Sequence, residues 1–511
     1  MNTVETYGET IVAKQPEGAA SRFGAVAGFV ALTALTAIVA TALGSLKYGV
    51  LNLLGLIAGL IVLYLLVMAF PQLRANWAYL RPRLNKWHLI WYGVYVSALV
   101  FEIRTLASYR ESILDGWSIL RLGPEFLIGV YMLYCLGTGR VKWVSSLFKG
   151  IPGVLAVYCI FCAITTAWSV FGTWTLFKSI EYMMDVSVIA AILCVVSDAE
   201  DYKVLLDWTW TIFTIELVWC VVQLAIWPSQ ALDDGRLKGV IPLTAFNAVG
   251  SYGAVIATVA LCRLLAATPQ ALERSWYVSL FLFGCVLTVM SQTRNAMAGL
   301  ATAIVVILIM SKRATGIVLI GLAVAGTLFT ALGQVLDTFI RRGQSEDAFM
   351  TMSGRLVWWH YAWIFFKEKP WSGVGAYAGG KFAVLKALNV NAGSTHSDYI
   401  ELLVGSGVFG TLLFSIAVLW TLVLLFKLWR NPSLTRQERL ISMECFCVML
   451  VLFIHSFFNV ELTWHAPMFF LVCMGWAEFM RRKQKKVQQQ LVQQSLRGPI
   501  HRTSEIIFSE S

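Results

Sequence analysis

Charged side chains are scarce in this chain. Of its 511 residues, 14% are charged and 58% are hydrophobic, and the mean hydropathy is +0.70. A soluble domain has about 25% charged and about 45–50% apolar residues. This composition excludes an ordinary soluble domain and predicts a membrane protein.

The strict alternation of polar and apolar residues that marks β-barrel strands is also missing. The apolar runs are continuous instead, and many reach the length of about 20 residues that a helix needs to cross a bilayer. About fourteen such runs occur, of which three are short or polar, so we predict an all-α polytopic bundle of about 12–14 membrane helices. The predicted spans are 24–43, 49–70, 88–103, 124–138, 151–172, 180–197, 204–227, 244–266, 276–291, 295–311, 315–333, 399–427, 440–458 and 464–480.

The N-terminus lacks the pattern of a cleavable signal. Residues 1–21 are polar and partly acidic, and no small-residue cleavage site follows the first apolar run, so this run is expected to be retained. The predicted organisation is a cytoplasmic segment, a bundle of about eleven helices, a long periplasmic loop, the last membrane helices and a basic cytoplasmic tail. These five parts cover residues 1–23, 24–333, 334–398, 399–480 and 481–511.

The basic residues concentrate in loops that share one side of the membrane if the fourteen spans hold. The densest cluster is Arg481-Arg482-Lys483-Gln484-Lys485-Lys486. By the positive-inside rule this side is the cytoplasm, and both termini lie there. The net charge of +11 therefore indicates topology and contact with anionic lipids. It does not indicate nucleic-acid binding, because the basic residues are dispersed between helices.

Two further absences narrow the function. All ten cysteines fall inside predicted spans, so no disulfide framework is expected on the outer side. Cys159 and Cys162 have redox-motif spacing, but they lie within an apolar span and are interpreted as packing residues. No internal repeat is evident, which argues against an inverted-repeat transporter.

The loop 334–398 is the longest connection, and loops of this length usually carry function or disorder. Here Ser353-Gly354-Arg355 precedes an aromatic-rich stretch over 356–366, which predicts a helix lying in the membrane interface. Pro370 follows, and then Trp371-Ser372-Gly373-Val374-Gly375 predicts a turn.

The predicted topology also places three basic residues at helix ends on the outer face. They are Arg236 in the loop before the eighth span, Arg294 in the turn Ser291-Gln292-Thr293-Arg294-Asn295, and His396 just before the span at 399–427. A helical bundle can bring all three to one cavity. Arginine binds phosphate bidentately and stays charged, and a neutral histidine can accept a proton near neutral pH.

The pattern His396-Ser397, nine residues, Gly407-x-x-Gly410-Thr411 resembles the signature of the bacterial O-antigen ligase and polymerase superfamily. The resemblance extends over about residues 230–430. It includes Arg236-Leu237-Lys238-Gly239 with the later Asn247, the turn ending at Arg294, and Ser353-Gly354-Arg355 with Pro370 and Gly373-Val374-Gly375.

This resemblance implies an inverting, metal-independent membrane glycosyltransferase without a cofactor. It would act on the periplasmic face of a bacterial inner membrane, on a glycan carried by polyprenyl pyrophosphate. The acceptor would be lipid A-core or a growing polysaccharide, and other polysaccharide-assembly proteins are expected partners. Arg236 and Arg294 would hold the pyrophosphate and His396 would activate the acceptor, with Arg355, Glu216 and Asn247 as secondary site residues. Ligase and polymerase remain open.

Each candidate also has a structural alternative. His396 could cap a helix at the interface, and Arg294 could reach to the interface as a turn residue. Arg236 could pair with Asp233 or Asp234, and Arg355 could anchor the interfacial helix. Glu216 lies in mid-span, where an unpaired charge costs about 2.5–3.5 kcal/mol, so it is either a paired structural residue or a functional carboxylate.

Two other functions follow from the same residues. A secondary transporter or flippase would use Glu216 and Asp185 for coupling, and it would need no role for His396. A structural partner in polysaccharide export would tolerate substitutions at His396 and Arg294. Three other histidines map to the outer side within aromatic sequence and are weaker candidates for the base: His360, His455 and His465.

Overall fold

A computed structural model describes residues 83–102, 116–266, 271–313, 354–390, 392–463 and 467–497, with a few isolated positions outside these ranges. The predicted spans 24–43 and 315–333, and nearly all of 49–70, lie outside the described residues. The described part is almost entirely helical, which confirms the all-α polytopic membrane fold.

The helices follow one another with short connections. Their bounds are α1 (Lys86–Glu102), α2 (Gly116–Gly137), α3 (Trp143–Leu147), α4 (Gly150–Ile164), α5 (Gly172–Val195), α6 (Ala199–Ile226), α7 (Pro228–Ala231), α8 (Phe246–Ala266), α9 (Ala271–Met290), α10 (Arg294–Met310), α11 (Arg355–Glu368), α12 (Asp398–Arg430), α13 (Arg436–His455) and α14 (Met468–Arg497). A 3₁₀ turn at Thr165–Trp168 extends α4, and a π-helical segment spans Gly379–Leu385. The strands β1 (Leu232–Asp233) and β2 (Arg236–Leu237) form a small antiparallel hairpin.

Every predicted span within the described ranges coincides with a helix. Four helical stretches are long and apolar enough to cross a membrane, namely Gly150–Trp168, Ala199–Ile226, Phe246–Leu265 and Asp398–Arg430. Shorter apolar helices lie at Leu122–Gly137, Arg274–Met290 and Arg294–Met310. The short helices α3 and α7 and the π-helical segment carry no long apolar run, so span counting did not predict them.

Small residues let the membrane helices approach closely. A Cβ atom on Gly253 of α8 would lie 2.9 Å from the carbonyl oxygen of Gly284 in α9, and a Cβ on Gly284 would lie 2.5 Å from that of Gly253. Lipid tails are as apolar as leucine, so close van der Waals packing of this kind drives helix association in a bilayer. The pair joins α8 to α9, which ends at the turn that carries Arg294.

Helix α12 was predicted as one continuous span, but it is interrupted at Gly407, whose φ of +63° is not helical. The segment after Pro370 docks against the interruption. Val408 N–H donates to Pro370 O at 2.8 Å, and Gly375 N–H donates to Gly405 O at 3.0 Å. Backbone groups freed by a break within a bilayer must be satisfied by protein, and this segment satisfies them.

The helix predicted within the long loop is observed as α11, which follows Gly354 with its φ of +82°, and its position in the membrane interface stays a prediction. Several of its apolar side chains are exposed, among them Leu356, Val357 and Trp363. Aromatic and aliphatic side chains on one exposed helix are typical of a helix that lies in the membrane interface. The part of the loop before Gly354 is outside the described residues, except for Thr351.

Ion pairs anchor the other end of the bundle. Glu478 in α14 accepts from Arg481 at 2.6 Å and from Arg482 at 2.7 Å, and Lys483 pairs with Glu438 of α13 at 2.5 Å. Helix α14 continues without a break to Arg497, so the first half of the predicted tail is an extension of the last membrane helix. Residues 498–511 lie outside the described part.

Candidate active site

His396 lies in the short loop that leads into α12. Its backbone is left-handed, with φ of +57°, and its N–H donates to Ser394 Oγ at 3.2 Å. The imidazole stacks on the indole of Trp358 in α11, with ring centroids 5.9 Å apart and planes inclined by 25°. The Nδ1 atom is buried, and no described residue makes a well-formed hydrogen bond to it. Packing therefore holds the ring in place.

Glu401, one turn into α12, fixes the backbone just before His396. Its Oε1 accepts from Thr395 N–H at 2.6 Å and from Thr395 Oγ1 at 2.9 Å. Gly380 lies directly against the carboxylate, because a Cβ there would be 2.1 Å from Oε1. From α11, Trp359 Nε1 donates to Thr395 O at 3.1 Å. The loop before His396 is thus held by groups from three elements.

Asp398 ties the loop between α13 and α14 to the same place. Its carboxylate accepts from the backbone N–H groups of Glu461, Leu462 and Thr463 at 2.9, 2.9 and 3.1 Å, and from Thr463 Oγ1 at 2.5 Å. In return, Asp398 N–H donates to Asn459 O at 3.2 Å. The start of α12 and residues 456–463 therefore form one hydrogen-bonded unit.

Two of the candidate arginines lie beside this unit. Arg355, the first residue of α11, donates from Nη1 to Phe458 O at 2.8 Å. Arg294 begins α10, and its neighbour Asn295 donates to His455 O at 3.2 Å. Burial lowers the pKa of Arg355, and the nearby charge of Arg294 lowers it further. Two cations held close together mark a place where an anion would be stabilised.

Arg236 is held against the turn that carries Arg294. Its Nε donates to Ser291 O at 3.2 Å, its Nη2 is 3.5 Å from Asn247 Oδ1, and the guanidinium lies 3.2 Å from the centre of the Phe246 ring. Asp233, one of the two acids considered as alternative partners of Arg236, pairs with Lys238 at 2.8 Å. Since the turn at 291–294 contacts Arg236 and leads directly into Arg294, the structure brings both to the end of the bundle where His396 lies.

The imidazole of His396 is neutral at pH 7 in these surroundings. The pKa of His396 is lowered to about 4, first by burial and then by the charge of Arg355, while the side chain of Asn459 acts in the opposite direction. A neutral imidazole has a lone pair that can accept a proton. Acid–base catalysis near neutral pH works best with a pKa near 7, so the charge of Arg355, in addition to burial, weakens this base unless an anion offsets that charge.

The remaining candidates lie in different settings. Glu216 is buried in α6, where Oε2 accepts from Tyr95 OH at 2.8 Å and Oε1 accepts from Thr244 Oγ1 at 3.0 Å. Both oxygens are therefore engaged, Oε2 by α1 and Oε1 by the segment after Arg236. Among the other titratable candidates, His360 is exposed on α11 and Asp185 is buried in α5. His455 is buried, with Nδ1 3.0 Å from Glu461 Oε1. His465 lies outside the described residues.

Sequence reasoning did not assign roles to Asp398 and Glu401, nor to Trp358, Asn459 and Glu461. The two acids were visible inside the histidine motif, shortly after His396, but nothing in the motif says which backbone groups they accept from. Asn459 and Glu461 are polar residues between two apolar spans. Only the fold places that connection beside a loop some 60 residues earlier in the chain.

Comparison with known families gives one match. Residues 278–415 match the O-antigen ligase family, and a search of curated proteins found no match. The matched segment runs from α9 into α12, and it contains Arg294, Arg355 and His396. It is narrower than the range of about 230–430 indicated by motifs, and Arg236 and Asn459 lie outside it. Over this segment, which includes Arg294, Arg355 and His396, the chain is similar to the O-antigen ligase family.

Proposed function

We propose that this chain transfers a glycan from a polyprenyl-pyrophosphate carrier to a sugar hydroxyl at the periplasmic face of a bacterial inner membrane. The match of residues 278–415 to the O-antigen ligase family supports the general activity, that of a ligase-like membrane glycosyltransferase. The observation that supports the specific reaction is the convergence of Arg236, Arg294 and Arg355 on the end of the bundle that holds His396. This pairing of cations with a neutral base suits a reaction that releases an anion and a proton.

The arginines would hold the pyrophosphate. In the reaction, the bond between the anomeric carbon and the carrier oxygen breaks, and polyprenyl pyrophosphate leaves with the bonding electron pair. Negative charge grows on the leaving oxygen, and Arg294 and Arg355 are placed to stabilise it. Fixed charges aimed at developing charge commonly contribute more to catalysis than any other single effect. Arg236, held against the same turn by Ser291, would complete the cluster.

His396 would act as the general base. The acceptor hydroxyl gives its proton to the imidazole while its oxygen forms the new bond to the anomeric carbon, opposite the leaving pyrophosphate, so the configuration inverts. Bound pyrophosphate offsets the charge of Arg355, one of the two causes that lower the pKa of His396. Donor binding would thus raise the basicity of His396 at the moment when a base is needed, and a general base contributes about 10²–10⁴-fold.

The charge distribution supports the orientation. The ion pairs of Arg481, Arg482 and Lys483 lie at the end of α14 that follows its apolar half, and the basic loop Arg430–Arg439 lies after α12. The His396 loop precedes α12 and is therefore at the opposite end of that helix. By the positive-inside rule the basic end would be cytoplasmic, which supports a candidate site that faces the periplasm.

Complementation of a strain lacking the gene tests the proposal. The strain would receive wild type, His396→Ala or His360→Ala, and its carrier-linked and transferred glycans would be separated and compared. His360 is the matched control, because it is an exposed histidine on α11, about one turn from Arg355. We expect His396→Ala to fail like the empty strain with normal protein in the membrane, and His360→Ala to restore transfer.

The same experiment separates the two activities of the superfamily. Long chains left on the carrier would identify a ligase, and single repeat units would identify a polymerase. Normal product from His396→Ala would contradict the proposal. In that case Glu216→Gln decides the alternative, because a transporter that couples through this carboxylate should lose function when the charge is removed.

A further inference from the structure

A row of polar side chains leads from the protein interior to the imidazole of His396. Glu461 Oε1 lies 3.0 Å from Nδ1 of the buried His455 and accepts from Asn459 Nδ2 at 2.9 Å. Asp398 N–H, two residues after His396, donates to Asn459 O at 3.2 Å and so holds Asn459 beside this loop, where its side chain acts on the His396 ring. His455, Glu461, Asn459 and His396 thus follow one another in space, although His396 is distant from the other three in sequence.

The backbone that carries this row is fixed by other groups. Asp398 accepts from the N–H groups of residues 461–463, and its own N–H donates to Asn459 O at 3.2 Å and to Ser456 O at 3.0 Å. None of these bonds uses the side chain of Asn459 or of Glu461. Substituting either side chain therefore leaves the clamp on the loop intact, so their role can be separated from folding.

Hydrogen-bond donors and acceptors decide which end of the Asn459 amide faces the histidine. Its NH₂ group is committed to the carboxylate of Glu461, which can only accept when ionised. The carbonyl Oδ1 is then the end available to His396. The buried Nδ1 of His396 lacks a well-formed partner in the described structure, and catalytic hydrogen bonds are often long until substrate is bound.

We infer that Asn459, oriented by Glu461, is a positioning residue that accepts a hydrogen bond from Nδ1–H of His396 and so directs the lone pair of Nε2 toward the acceptor hydroxyl. This inference rests on the proposed role of His396 as base. The hydrogen bond selects one tautomer of the ring, since a neutral imidazole has one N–H and one lone pair. It also remains in place when Nε2 takes the proton, because Nδ1 keeps its hydrogen throughout.

The neighbouring elements also carry charged groups. Arg355 of α11 acts on the His396 ring, Arg294 of α10 acts on Arg355, and Asp398 and Glu401 belong to the helix that His396 precedes. Both acids are engaged by backbone N–H groups and threonine hydroxyls. Among the described groups, Asn459 is the uncharged one whose side chain acts on the protonation of the imidazole.

The test is a double-mutant cycle on the purified full-length chain, with the carrier-linked glycan extracted from the deletion strain as the probe. Asn459→Ala should lower kcat by up to about 100-fold with little change in KM for the donor, because a misplaced catalytic group costs about this much. Glu461→Ala should lower kcat less, and Glu461→Gln should restore most of it, since its carbonyl oxygen still accepts from Asn459. Asn431→Ala, an amide removed at the opposite end of α12, is the matched control.

The decisive comparison is made in the His396→Ala background. If Asn459 acts through His396, then Asn459→Ala lowers the residual rate no further there. An equal loss in both backgrounds, or a wild-type kcat in Asn459→Ala, would overturn the inference while leaving the base assignment standing. If His396→Ala itself retains the wild-type rate, the proposed function fails first. If Asn459→Ala does not accumulate as folded protein, Glu461→Ala and Glu461→Gln are compared in the wild-type and His396→Ala backgrounds instead. Glu461 contacts Asn459 and acts on the imidazole only through it.

Discussion

The contact between Gly380 and Glu401 predicts that one added methyl group will disable the loop that carries His396. In Gly380→Ala the new Cβ would lie 2.1 Å from Oε1, 2.2 Å from Oε2 and 2.4 Å from Cδ of Glu401. Real Cβ atoms essentially never approach another heavy atom within 3.0 Å, so the carboxylate must recede by at least 0.9 Å. The variant thus displaces Glu401 without changing its chemistry.

The size of the effect follows from what Glu401 holds. A shift of 0.9 Å along the 2.6 Å bond from Thr395 N–H would lengthen it to 3.5 Å, where little of a hydrogen bond remains. Hydrogen bonds to a charged group contribute about 1.5–3 kcal/mol each, so losing both Thr395 bonds removes about 3–6 kcal/mol of local stabilisation. We expect the transfer rate to fall by up to about 100-fold, because His396 is the next residue along the chain.

Transfer by equal amounts of membrane-inserted protein is the assay, and Gly393→Ala is the control. Gly393 lies in the same loop, but a Cβ there would meet nothing within 4 Å, so its activity should stay near that of wild type. Combining Gly380→Ala with Glu401→Ala removes the collision partner, and the double variant should be no worse than Glu401→Ala alone. Wild-type transfer by Gly380→Ala, or additive losses in the double variant, would refute this reasoning.

Three further predictions concern other parts of the molecule. The pKa of His396 is lowered to about 4, and the base acts when it is neutral. The value of kcat/KM should therefore stay flat as the pH falls from about 8 to about 5 and drop only near 4. A loss centred near pH 6.5 would show an ordinary imidazole instead. Glu216→Gln should keep the transfer rate near that of wild type. Glu216→Leu should lower the free energy of unfolding in a detergent melt by about 1–3 kcal/mol, because the hydroxyl of Thr244 loses its acceptor. Loss of transfer in folded Glu216→Gln would argue for a functional carboxylate. Gly373→Ala should yield no monodisperse protein on size exclusion, since its Cβ would lie 2.3 Å from Gly405 O and its φ is +66°. A normal elution profile would contradict the docking of the segment after Pro370 against α12.

The helical order was predictable from local information. Each apolar run in the described part is a helix, because a chain in lipid must satisfy its backbone groups within the same segment. The interfacial helix α11 and the glycine turn after Pro370 were likewise visible in aromatic density and in glycine spacing. The break at Gly407 was not, because it depends on a partner segment more than 30 residues away that supplies the missing hydrogen bonds.

The candidate site was predictable in part. Arginines and a histidine at helix ends could be selected from the sequence, since each lies where an apolar run meets a polar connection. Their supporting residues could not be selected in this way. Glu401 and Asp398 resemble ordinary acids in the first turn of a helix, and their roles depend on Thr395, Gly380 and the N–H groups of residues 461–463.

The sequence by itself determined that this protein is a bundle of membrane helices, which family its segment 278–415 resembles, and which residue types it presents at helix ends. Hydrophobic run length and charge bias act locally, so they can be read without a fold. The tertiary structure decided that Arg236, Arg294, Arg355 and His396 meet at one end of the bundle, and that Asn459 approaches the imidazole. Such contacts join residues from separate helices, and their geometry comes from glycine-mediated packing and from the buried carboxylate of Asp398, which draws two distant loops together.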